Sequence, residues 1–233
     1  MALISKNNKL ADVILDNPSI ITVLNRFGIY LGVGDKTVEQ VCSEKRLDTD
    51  FFLIILNTFA NEEYFPEELL KNFDVKLIVD YLGSTNSYYK QFIIPNIENH
   101  FNLLLKRGDN SNTNLELLHS FFLEVKAELT GRINADSEVL FRNIMALDAP
   151  NKAASNCPAP YYIDSTSDTV EDKVNDLVNM FVIHLTGQYD TNLCLAVLSA
   201  IIGLKKDLCQ NNRIRNRILM PIYHYLCSRN ANG

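Results

Sequence analysis

Tryptophan is absent from the 233 residues, which removes one common ligand-stacking side chain. The five cysteines (Cys42, Cys157, Cys194, Cys209 and Cys227) are odd in number, widely spaced and contain no C-x-x-C. That pattern suits reduced thiols in a cytosol better than a disulfide framework. No apolar run approaches the roughly 18–20 residues of a membrane span, so none is expected. The opening MALISKNNKLADVILDN has no long apolar stretch, so no signal peptide is expected either. There is no basic excess: the net charge is −6, and nucleic acid is not the expected partner of an acidic chain. The glycines of Gly28–Gly34 follow no strand and precede no Gly-Lys-Ser/Thr, which excludes a phosphate loop. No Ser or Cys stands in a readable pattern with His and Asp, so nothing supports a hydrolase.

What remains is helical. Apolar residues make up 47% of the chain, enough for a sizeable core. Residues 1–64 read as a small helical module. Leu10, Val13 and Ile14 recur at helical spacing; Asn17 then caps a restart with Pro18 at the first helical position. Thr37 and Gln40 form a capping-box pattern, and Asp48 or Thr49 caps a helix through Phe51–Phe59. Polar residues 61–74, with Pro66, mark the expected boundary. Residues 75–229 read as four helices: about Val75–Leu105 with a kink at Pro95, Asn112–Ala146, Val170–Leu185 and Leu193–Leu226. The long connection Asp148–Asp168 and a disordered tail Asn230–Gly233 complete the chain. Almost no stretch reads as strand. The expected fold is all-α, a small N-terminal helical domain followed by an antiparallel four-helix bundle.

Two stretches repeat. Glu128–Phe141 and Asp207–Met220 share [E/D]-L-x-x-[R/N]-x-x-x-[D/R]-x-x-[V/I]-L-[F/M]. Each copy sets two polar residues at i and i+4, on one helix face: Arg132 with Asp136, and Asn211 with Arg215. Paired inward polar positions on two helices are how bundles build metal sites. Arginine and asparagine are the wrong types for a metal.

These residues resemble the RIC family, the di-iron repair-of-iron-centres proteins, along nearly the whole chain. The family's F-G-I-D-F-C-C-G-G turn is similar to Phe27–Gly34, with Gly32 and Val33 where the paired cysteines belong. Its D-Y-I-x-x-x-H-H-x-Y resembles the segment from Asp80-Tyr81-Leu82 to Ser87-Tyr88-Tyr89. Its doubled H-x-x-x-E-E-x-x-L-F-P resembles the two repeats, and its E-H-D resembles Glu171-Asp172-Lys173. The resemblance implies a hemerythrin-like bundle and dimerisation through the N-terminal domain. It places the six ligand positions at Ser87, Arg132, Asp136, Asp172, Asn211 and Arg215. Only Asp136 and Asp172 could ligate iron, so no metal or other cofactor is expected. His119 stands thirteen positions before Arg132, His184 twelve after Asp172 and His224 thirteen after Asn211, on the order of 18–20 Å along a helix.

The expected arrangement at the six positions is a polar network in which Arg132 and Arg215 meet Asp136 and Asp172. The competing reading has these side chains facing water. The expected function is a non-catalytic regulatory or interaction protein on a repair-family scaffold that has lost its di-iron site, binding an unidentified protein or small ligand. One alternative is a residual metalloprotein of iron–sulfur or nitrosative stress repair. Another is a nucleic-acid-associated regulator using Arg213 and Arg217 on the last helix, against which a solvated helix face is the simpler reading.

Overall fold

Local capping decides where the first helices start. The structure, a computed structural model, describes residues 3–107, 113–149 and 169–231. Helix α1 spans Leu10–Asp16 and buries Leu10, Val13 and Ile14. Asn17 then caps a short 3-10 turn, Pro18–Ile20, with the proline at its first position. The chain continues into α2, Ile21–Arg26. Gly28 sits at φ 68° just beyond, a left-handed conformation that suits glycine, and turns the chain out of α2. Thr37 opens α3, Val38–Lys45, with both bonds of the capping box to Gln40 in place. Asp48 caps α4, Thr49–Ala60, by accepting from the Phe51 amide. A short helix absent from the sequence reading, α5 at Glu67–Leu70, follows Pro66.

The remaining helices are α6 (Val75–Tyr88), α7 (Ile94–Arg107), α8 (Thr113–Ala135), α9 (Phe141–Asp148), α10 (Val170–Asn179), α11 (Thr191–Ile214) and α12 (Met220–Ala231). The last reaches Ala231, so the expected disordered tail is helical at Asn230 and Ala231. The loop expected over Asp148–Asp168, with Cys157, lies almost wholly outside the described residues. Among the described residues the fold is all-α, with one isolated bridge between Lys9 and Thr37 and no strand. No helix among them is long and apolar enough to cross a membrane.

Three π turns interrupt these helices, at Tyr89–Ile93, Asp136–Leu140 and Arg215–Leu219, and a fourth, Met180–His184, ends α10. Three are closed by an amide reaching five residues back: Ile94 to Tyr89, Phe141 to Asp136 and Met220 to Arg215. Pro95 and Pro221 each follow their π turn at the same distance, so a widened turn lies just upstream of each proline.

The chain divides into two compact units, Met1–Thr85 with Gln210–His224, and Asn86–Cys209 with Tyr225–Gly233. Residues 61–74 fall inside the first. Its core includes an aromatic cluster: Phe27 meets Phe52 at 4.9 Å edge-on and stacks on Tyr81 at 5.4 Å, while Phe51 meets Phe73 at 5.4 Å. Arg26 is buried here, donating to the Tyr81 hydroxyl at 3.0 Å with its guanidinium over the Phe59 ring. In the second unit, α7, α8, α10 and α11 share one hydrophobic core. Ile97, Phe101, Leu118, Val125, Val174 and Val197 lie at its centre, and Phe101 stacks on Phe122 at 5.4 Å.

Cys42 and Cys194 are buried thiols and Cys209 a half-buried one. Burial pushes the Cys42 and Cys194 thiols up, away from reactive thiolate. Cys227 departs from the expectation of reduced cysteines: it is disulfide-bonded. Spacing along the chain carries no information on that proximity in space.

Candidate functional site

The two sequence repeats are also repeats of backbone geometry. The first π turn of the pair begins at Asp136 and the second at Arg215, the same place in the two copies. A π turn inserts one residue into the helical ladder, and such turns often sit at functional sites. The polar residue that opens each turn is buried: Asp136 is 2% exposed and Arg215 is 3% exposed.

The six positions at which the resemblance places ligands differ in exposure. Ser87 and Asp172 face solvent, and Asp172 sits in the first turn of α10. Arg132 is half-buried; Asp136, Asn211 and Arg215 are buried. Asn211 accepts from the Thr85 hydroxyl at 3.5 Å, and that hydroxyl also donates to the Tyr81 carbonyl at 3.0 Å. Arg215 donates to the Asn216 side-chain oxygen at 2.8 Å. Gln210 and Asn212 are buried beside Asn211, which makes 210–215 an unusually polar stretch of buried helix. In the second unit Asn86 reaches the Ser137 hydroxyl at 3.5 Å, and Lys90 donates to Asn134 at 2.9 Å. Buried polar groups persist only when bonded, and Thr85, Asn211 and Arg215 in the first unit and Asn86 in the second have such bonds.

The donor set does not fit a di-iron centre. Two of the six positions carry guanidinium groups, which have no lone pair to give and repel a dication. Among the described residues no group of three His, Cys, Asp or Glu side chains could hold a metal ion. The histidines lie elsewhere: His119 packs on Phe101 at 5.2 Å, and His184 and His224 are exposed. The aromatic set divides similarly. Tyr81, Tyr89, Phe122 and Phe141 are core residues, whereas Tyr88 lies against the exposed Phe92.

The basic stretch of the last helix has a structural occupation. Arg213 and Arg217 share a face, as their spacing predicts, and both guanidiniums lie over the Phe65 ring, at 4.4 and 4.9 Å. Arg213 donates to the Glu62 carbonyl at 2.8 Å, and Arg217 to the Glu67 carboxylate at 2.6 and 3.0 Å. Lys71 and Arg217 together hold the Glu67 carboxyl below its ordinary range. The pair therefore straps the 62–67 segment. Sequence spacing could not show this, because the partners are about 150 residues away.

Compared with known proteins, the chain matches no family model and no curated sequence.

Proposed function

We propose that this chain is a non-catalytic regulatory or interaction protein, built on a scaffold like that of the iron-centre repair proteins but without their di-iron site. The observation that carries this reading is the pair of π turns opening at Asp136 and Arg215. The two copies keep a common backbone device at the places where the resemblance puts ligands, yet the side chains there cannot form a ligand set. Asp136 and Arg215 are buried charges, and a buried charge needs compensation from its surroundings. In this reading a polar arrangement takes the place of chelation. A homodimer joined through the N-terminal module belongs to the same reading, and a sedimentation mass of one chain would overturn that part.

The test is iron content. Protein produced and purified with iron present should carry well under one iron per chain by elemental analysis. It should also show no iron-dependent absorbance and no rise in melting temperature when ferrous iron is added anaerobically. Two irons per chain, lost on changing Asp136→Ala, would replace this reading with that of a working metalloprotein.

A further inference from the structure

The first unit contains a groove of about 440 Å³ that the polar stretch does not touch. That volume lies in the range of small-molecule sites, and the lining is mostly apolar, as in such sites. One wall is α4, through Leu53 and Ile54; the other is the segment after Asn61, through Tyr64, Leu69 and Phe73. Both walls are tied in place. Asn57 accepts from the Ile4 amide at 2.7 Å and donates to the Ile4 and Leu53 carbonyls at 2.9 Å each. Its amide is thus spent on pinning residue 4 to α4. The second wall is held by Arg217 on Glu67 and by the two guanidiniums over Phe65. A groove with both walls fixed loses little freedom on binding.

The charge in the lining decides the occupant. Among the described residues, Asp50 is the one ionised side chain that lines the groove, and no Lys or Arg lines it. Asp50 is exposed, and no salt bridge among the described residues takes it. An anionic ligand would set a second negative charge beside it, with no basic side chain among the described lining residues to offset the two. A cationic head would meet its counter-charge there while the apolar body lies on Leu53, Ile54, Leu69 and Phe73.

We infer that this groove binds a small molecule with an apolar body and one positively charged head, with Asp50 as the counter-charge. The inference uses none of the six positions at which the resemblance places ligands, so it stands or falls separately from the reading above.

Three probes with one apolar body and different heads test it on the full chain: phenylbutylamine, phenylbutanol and phenylbutyrate. Titration calorimetry at low salt should rank them amine, alcohol, carboxylate. The amine should exceed the alcohol by about two- to fivefold, the worth of an exposed ion pair. That ratio should shrink as salt is raised. Asp50→Asn should bring the amine level with the alcohol. Leu69→Arg, at an exposed position, should abolish amine binding and favour the carboxylate. Unchanged far-UV circular dichroism and melting temperature show that both variants are folded. Absence of binding by all three probes, or a preference for the amine that survives Asp50→Asn, would overturn the inference. So would a wild-type dimer that ignores the probes and becomes one chain in Leu69→Arg, since a second copy would then fill the groove.

Discussion

His119 carries a consequence for acid stability. Its imidazole packs on Phe101 at 5.2 Å and Phe122 at 6.4 Å, and its buried Nε2 has no hydrogen-bond partner among the described residues. Burial holds its pKa below the ordinary histidine value, Lys126 adds to that, and Glu98 opposes it. The unfolded chain therefore takes up the proton first as pH falls. Stability is highest where both states are neutral, and is lost as pH drops through the unfolded histidine's pKa toward the lower folded one. Carboxylates that lose their partners add to acid loss in any variant, so the comparison must be internal. His119→Leu keeps an apolar side chain in the pocket and removes the proton site. Its melting temperature should fall less than that of the wild type between pH 7 and pH 5. Parallel curves for the two proteins would show that the imidazole is charged at no cost.

The π turns explain the phase of the helices. In the first of these helices the buried positions step from Tyr89 to Ile94, five residues, then to Ile97, Phe101 and Leu104 at ordinary spacing. After the turn at Arg215–Leu219 they resume at Tyr223 and Leu226. Each turn adds one residue, about 100° of rotation, and so re-aims the face that follows. Pro95 and Pro221 do not account for all of them, because Asp136–Leu140 has Arg142 at the equivalent place. Deleting the exposed Ser137 should convert that turn to plain α-helix while keeping both faces in phase. The expected melting temperature lies within about 4 °C of wild type, the shift that ~1 kcal/mol produces in a chain of this size. Deleting the exposed Glu124, inside regular α8, rotates Val125, Leu129 and Ile133 against the rest and should abolish the cooperative melt. If both deletions melt alike, the π turn is not a one-residue insertion. These phase shifts were present in the sequence but unreadable there, since a five-residue step looks like noise until burial is known. The caps at Asn17, Thr37 and Asp48 were legible because each acts within three residues of itself. The Arg213–Phe65–Arg217 stack, the Cys227 disulfide and the groove beside Asp50 were not, because they depend on chain segments that meet only in the fold.

At the scale of the whole chain, the first unit joins two stretches that are far apart in the sequence. Residues 1–64 read as a module on pattern alone, but the compact unit adds residues to Thr85 and the stretch Gln210–His224. The contacts that these additions make are specific. Tyr81 stacks on Phe27 and takes the Arg26 hydrogen bond; Phe73 packs on Phe51; Arg213 and Arg217 hold Glu62 and Glu67. A piece ending at residue 64 leaves Arg26 buried among aromatics that have lost Tyr81, and exposes the Phe51 face that Phe73 covers. A chain of about 60 residues buries too little surface to absorb such losses easily. An isolated 1–64 fragment should show helical circular dichroism well below that of α1–α4 in the full chain, and no cooperative thermal transition. A 1–85 fragment should regain part of that signal. Adding a 207–226 peptide should raise its melting temperature in a concentration-dependent way, as a partner that binds only the folded state must. An Arg217→Ala version of the peptide should do so less. A 1–64 fragment that melts cooperatively without help would instead place the working divide of the molecule at residue 64, and the last helix would then be a lodger on that module and no part of its fold.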